Sequence, residues 1–121
     1  MSLGVRRGNG TKIEQIKILK QYIKGVLDKA DHHAENVNEV ILTLIGAVIW
    51  KKDEDAIEVM TQSGDMKNVL WVKINNTRYA FSYNHETEKI EMRKHSIKGD
   101  VVKSFDNSIF AKEVKEIFES L

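Results

Sequence analysis

The chain has 121 residues, of which 41% are hydrophobic and 31% charged, with 19 basic against 18 acidic side chains and a net charge of +1. That length is one domain with one core, and so even a charge balance argues against a broadly basic nucleic-acid binder while leaving local patches open. Cysteine is absent, which excludes disulfide and thiolate chemistry and makes a reducing, cytoplasmic setting the simpler reading.

Residues 1–10 hold three glycines and the pair Arg6–Arg7 but almost nothing to bury, and read as a disordered arm. Residues 11–121 then read as one α+β domain. Thr11 and Glu14 match a capping box. Behind them Ile13, Ile16, Leu19, Ile23, Val26, Leu27 and Ala30 recur at three- and four-residue steps, the stripe of an amphipathic helix. The stripe continues through Ala34, Val37, Ile41, Leu44 and Val48. One long helix to about Ile45, or two helices meeting near Asp31–Asn36, both satisfy this pattern, and Gly46 offers a stop. The apolar run Val40 to Trp50 is too short to span a bilayer, and no signal-peptide core is visible.

From Ala47 the pattern favours strands. Ala47–Lys52 reads as a strand buried on both faces, and Ile57, Val59 and Thr61 mark a half-buried one. Val69–Ile74 and Thr77–Tyr83 flank Asn75–Asn76, a two-residue turn tolerant of positive φ. This turn predicts Ile74 opposite Thr77, Val72 opposite Tyr79, Leu70 opposite Phe81, Trp71 opposite Ala80 and Lys73 opposite Arg78. A second hairpin through Asn84–Thr87 predicts Ile90 opposite Phe81 and Met92 opposite Tyr79. Val101–Phe105 is a short last strand. Asp106, Asn107 and Ser108 offer caps for a final helix marked by Phe110, Val114, Ile117, Phe118 and Leu121. The predicted architecture is an antiparallel meander of five or six strands, with an N-terminal helical region and a C-terminal helix on one face.

Chemistry-bearing residues are few. Asp31, His32, His33 and Glu35, with Asp28, have partial metal-ligand spacing, but adjacent histidines diverge by about 100° on a helix and further ligands are missing. A polar corner is the simpler reading, so neither a metal centre nor a cofactor is expected. His85 beside Glu86, and His95, lie near one end of the sheet, where a loop histidine could serve as a base. No serine elbow, cysteine or phosphate loop accompanies them.

The second face of the sheet is the more unusual feature. Trp71, Lys73, Arg78, Ala80, Glu91 and Arg93 are expected there, with two or three cations in a row around an indole. Like charges opposite one another cost free energy unless an acid compensates. Tryptophan and arginine suit a protein interface or self-association, a dimer first, and the same set suits base stacking in nucleic acid. In the plainest reading the stems of Lys73 and Arg78 cover Trp71 while Glu58 and Glu91 neutralise them. A non-enzymatic binding or self-associating module therefore ranks first. A small enzyme or ligand-binding protein using a cleft at His85 or His95 ranks second, and nucleic-acid binding third.

The segments Gly46-Ala47-Val48-Ile49-Trp50, Asn68-Val69-Leu70-Trp71-Val72 and Arg78-Tyr79-Ala80-Phe81-Ser82-Tyr83-Asn84-His85 resemble small proteins carried on bacterial integron gene cassettes, over about His33 to the C-terminus. The resemblance implies a bacterial, cytoplasmic accessory protein and brings no catalytic residues with it.

Overall fold

The computed structural model describes residues 15–27, 36–55, 57–60 and 69–121. Helix α1 covers 15–27. It is followed by α2 (Val40–Lys51), β1 (Glu58–Met60), β2 (Val69–Ile74), β3 (Thr77–Asn84), β4 (Lys89–Lys94), β5 (Val101–Phe105) and α3 (Ala111–Glu119). The five strands pair antiparallel in sequence order. One buried apolar cluster joins all three helices to Leu70, Val72, Ile74, Tyr79, Phe81, Ile90, Met92 and Phe105 of the sheet. The fold is thus α+β, an antiparallel meander with its helices on one face. The expected arm at 1–10, the Thr11–Glu14 box and the Asp28–Glu35 corner lie outside the described residues.

The Asn75–Asn76 turn forms as expected. Both asparagines sit at positive φ, 50° and 66°, the geometry that matches the twist of a two-residue hairpin. All five predicted pairs across β2 and β3 are present. Asp53 clasps this turn from outside. Its carboxylate accepts the backbone N–H groups of Asn75 and Asn76 at 2.9 and 2.8 Å, and its own N–H donates to the Lys73 carbonyl. Those contacts, Asn76 first, with Lys73 and Lys52 nearby, hold the Asp53 carboxyl below its ordinary range against an opposing desolvation.

Three expectations are corrected and one open choice is decided. Ala47–Lys52 is not a strand, because α2 runs through Gly46 to Lys51. Ile41, Leu44, Ile45 and Val48 stay in helical phase on the buried side, and tertiary burial outweighs a glycine that costs about 1 kcal/mol in a helix. The sheet therefore has five strands. Second, residues 36–39 form turns between the described helices, which decides the open choice against a single helix from 11 to 45. Third, the second hairpin closes one residue later, with Phe81 opposite Met92 and Tyr83 opposite Ile90. Asn84 remains in the strand, and its side-chain oxygen accepts the N–H of Glu86 and Thr87. A shift that moves both strand ends together keeps each side chain on its expected face. Fourth, Ile16 is half exposed while Gln15, Leu19, Tyr22 and Val26 are buried. α1 is turned so that the Tyr22 hydroxyl donates to the Phe81 carbonyl at 3.0 Å, and burial pushes the Tyr22 phenol well above its usual pKa.

The helix caps also differ from expectation. Asn107 does not cap α3, whose N-cap residue Phe110 makes no side-chain cap bond and is exposed. Its side-chain oxygen accepts the N–H of Glu39 and Val40 at 3.0 and 2.9 Å. The start of α2, which lacks a local cap, is thereby satisfied from the far end of the chain.

Two outcomes are expected. Tyr22→Phe and Asn107→Ala should each destabilise the fold by about 1–2 kcal/mol in urea titrations, through a lost buried hydrogen bond and a lost cap. The Asp53 pKa is lower folded than unfolded, so its contribution is complete above the unfolded pKa and is lost as pH falls through the folded one. Stability should therefore fall more steeply below about pH 4 in the wild type than in Asp53→Ala. Parallel curves would remove Asp53 from that role.

Candidate binding surface on the outer face of the sheet

Alternation along β2, β3 and β4 decides which side chains leave the core. Val69 and Ala80 are buried yet stand outside the core cluster, so they mark the opposite, outer face. Pairing places Glu58, Trp71, Ala80 and Arg93 in one row across four strands, and Val69, Ser82, Glu91 and Ser104 in the next. Lys73 and Arg78 form a further pair. The predicted set Trp71, Lys73, Arg78, Ala80, Glu91 and Arg93 therefore shares one face.

The cations in this set are matched. The Arg78 guanidinium lies over the Trp71 ring, 4.0 Å from its centroid, and meets Glu58 at 3.9 Å. Lys73 pairs with Asp55 at 3.0 Å. Both pairs are well exposed, so each contributes little, about 0–1 kcal/mol. Their effect is local neutrality, which relieves the Lys73–Arg78 juxtaposition.

Glu91 and Arg93 are better shielded. One Glu91 oxygen accepts from Arg93 at 2.8 Å and the other from the Asn84 amide at 3.1 Å. A second Arg93 nitrogen donates to the Gly99 carbonyl at 2.8 Å. Arg93 thus ties β4 to the loop that follows it. That loop is tight: a side chain at Gly99 would meet the Lys94 carbonyl oxygen at 2.0 Å, so only glycine fits.

Asn84, Glu91 and Arg93 line a recess of about 300 Å³ together with Val69, Ser82, Tyr83, His85 and Ile97. The Tyr83 and His85 rings meet edge to face at 4.9 Å, and burial with nearby Glu88 raises the Tyr83 phenol. His85 is at the rim of this recess, whereas His95 is outside it, so the two histidines do not share a cleft. Neither imidazole is paired with a carboxylate among the described residues. The recess lies on the outer face and not between helix and sheet edge. Val69, Asn84 and Ile97 were not expected as site residues from the sequence; the one signal for Ile97 was an isoleucine in an otherwise polar loop.

The sequence profile of the family described as integron cassette protein VCH_CASS1 chain matches residues 19–113. The chain belongs to this family. No curated protein matches it. The span shared with the VCH_CASS1 family contains every outer-face residue named above, along with α2 and the Asp53 clasp. Among the described residues no helix is long and apolar enough to cross a membrane, and no group of three or more His, Cys, Asp or Glu could hold a metal ion.

Glu91→Ala should cost about 1–3 kcal/mol by leaving Arg93 and Asn84 short of an acceptor. It should also speed amide hydrogen exchange in residues 95–100. Unchanged exchange there would mean that the loop does not depend on the Glu91–Arg93 contact.

Proposed function

We propose that this member of the VCH_CASS1 family is a non-enzymatic binding module of a bacterial, cytoplasmic accessory kind. Its outer sheet face would receive a peptide segment of a protein partner. The supporting observation is the recess at Glu91–Arg93, whose polar floor is already hydrogen-bonded internally and whose neighbour is the Trp71–Arg78 stack. A floor held in place before binding lowers the ordering cost of association. Tryptophan and arginine are the side chains that most often anchor protein contacts. Peptide is favoured over nucleic acid because Lys73, Arg78 and Arg93 each face an acid, which leaves little counterion release to drive phosphate binding.

Selection from a displayed random peptide library, followed by titration of the isotope-labelled protein, tests this reading. Amide shifts should concentrate on Val69–Lys73, Arg78–Asn84 and Glu91–Arg93. Trp71→Ala should weaken the selected peptides by at least about tenfold, and Arg93→Gln should do so independently. Peptides that bind both variants as well as the wild type would refute the surface. Tight, steeply salt-dependent binding of a single-stranded oligonucleotide would replace peptide with nucleic acid.

A further inference from the structure

α2 carries a second apolar face that the other described residues leave exposed. From Val40 to Trp50 the helix has no charged residue. A helix apolar all round is ordinarily buried all round, yet Leu42, Ile49 and Trp50 are 57%, 55% and 51% exposed. With Gly46, also exposed, they follow one another at four-, three- and one-residue steps and so share a side of the helix. The opposite side of α2 lies in the core against the sheet, so this face points away from the Trp71 surface.

Nothing among the described residues requires a glycine at position 46. A Cβ there would meet nothing within 4 Å, and its backbone is not in the left-handed region. Alanine would fit and would favour the helix. A glycine at the middle of an exposed apolar face is useful where a second backbone must approach closely.

We infer that α2 is a homodimerisation helix that packs antiparallel on α2 of a second copy, with Gly46 against Gly46 at the two-fold axis. The pattern is self-complementary. When the two glycines meet, Leu42 of one copy stands opposite Trp50 of the other, and the reverse pair follows by symmetry, as an isologous contact requires. Antiparallel docking also brings the Glu39 end of one helix near the Lys51 end of its partner, opposite in charge. One helix face offers less than the ~800 Å² that each partner gives to a standard interface, so the dimer should be reversible and concentration-dependent.

Sedimentation equilibrium of the full chain up to about 500 µM tests the inference. The wild type should fit a monomer–dimer equilibrium. Gly46→Leu and Ile49→Glu should each weaken it at least about tenfold. Gly46→Ala should raise the melting temperature of dilute protein while weakening association, a pair of opposite effects that a purely intrachain role would not produce. Trp71→Ala should leave the dimer intact, so failure here and failure of the peptide-binding reading remain separate. A wild type monomeric throughout, or a Gly46→Leu variant that dimerises normally, overturns the inference. So does binding of the monomer to phosphatidylcholine–phosphatidylglycerol vesicles without dimer formation, which would assign the face to a bilayer.

Discussion

The register of β2 against β3 governs both faces of the sheet. Two asparagines at positive φ allow a two-residue connection, and the Asp53 carboxylate holds both of their amides. A slip of one residue would carry Leu70 and Val72 out to solvent and Trp71 and Lys73 into the core. The core opposite the helices and the outer surface are thus consequences of one turn. Phe81 shows how far this reaches. Its side chain stacks on Phe118 of α3, while its carbonyl accepts the Tyr22 hydroxyl of α1.

The outer face resolves an apparent conflict in the sequence. Lys73 and Arg78 stand directly opposite each other, an arrangement that is unfavourable in isolation. Each is met by an acid from β1 or the segment before it, Glu58 or Asp55. Arg78 is further stabilised over the Trp71 ring. Paired in this way, the outer face carries a fixed Asn84–Glu91–Arg93 arrangement and no broad positive field.

Polar side chains do much of the long-range joining. Asn107 serves a helix that begins 67 residues earlier, and Arg93 secures a loop through the Gly99 carbonyl. Sequence reading assigned Asn107 to the nearest helix, since capping is usually local. It assigned Asn84 to a loop, although this asparagine stays in the strand and closes the turn with its side chain. In both cases the residue type announced a backbone contact, but only the folded chain selected which backbone.

What the amino-acid order determined by itself was local. The Asn75–Asn76 hairpin, its five cross-strand pairs, the α+β class, and the sharing of one face by Trp71, Lys73, Arg78, Ala80, Glu91 and Arg93 all follow from turn chemistry and a period of two. Tertiary structure decided the rest. The run Ala47–Trp50 suits a buried strand or a buried helix equally, because short apolar runs lack a telling period. Burial of Val48 in phase with Ile41 and Leu44 made it helix. Likewise the choice of Tyr22 over Ile16 for the core, the pairing of Lys73 with Asp55 and the recess that Val69, Glu91 and Ile97 line depend on segments apart in the chain, whose meeting no local pattern encodes.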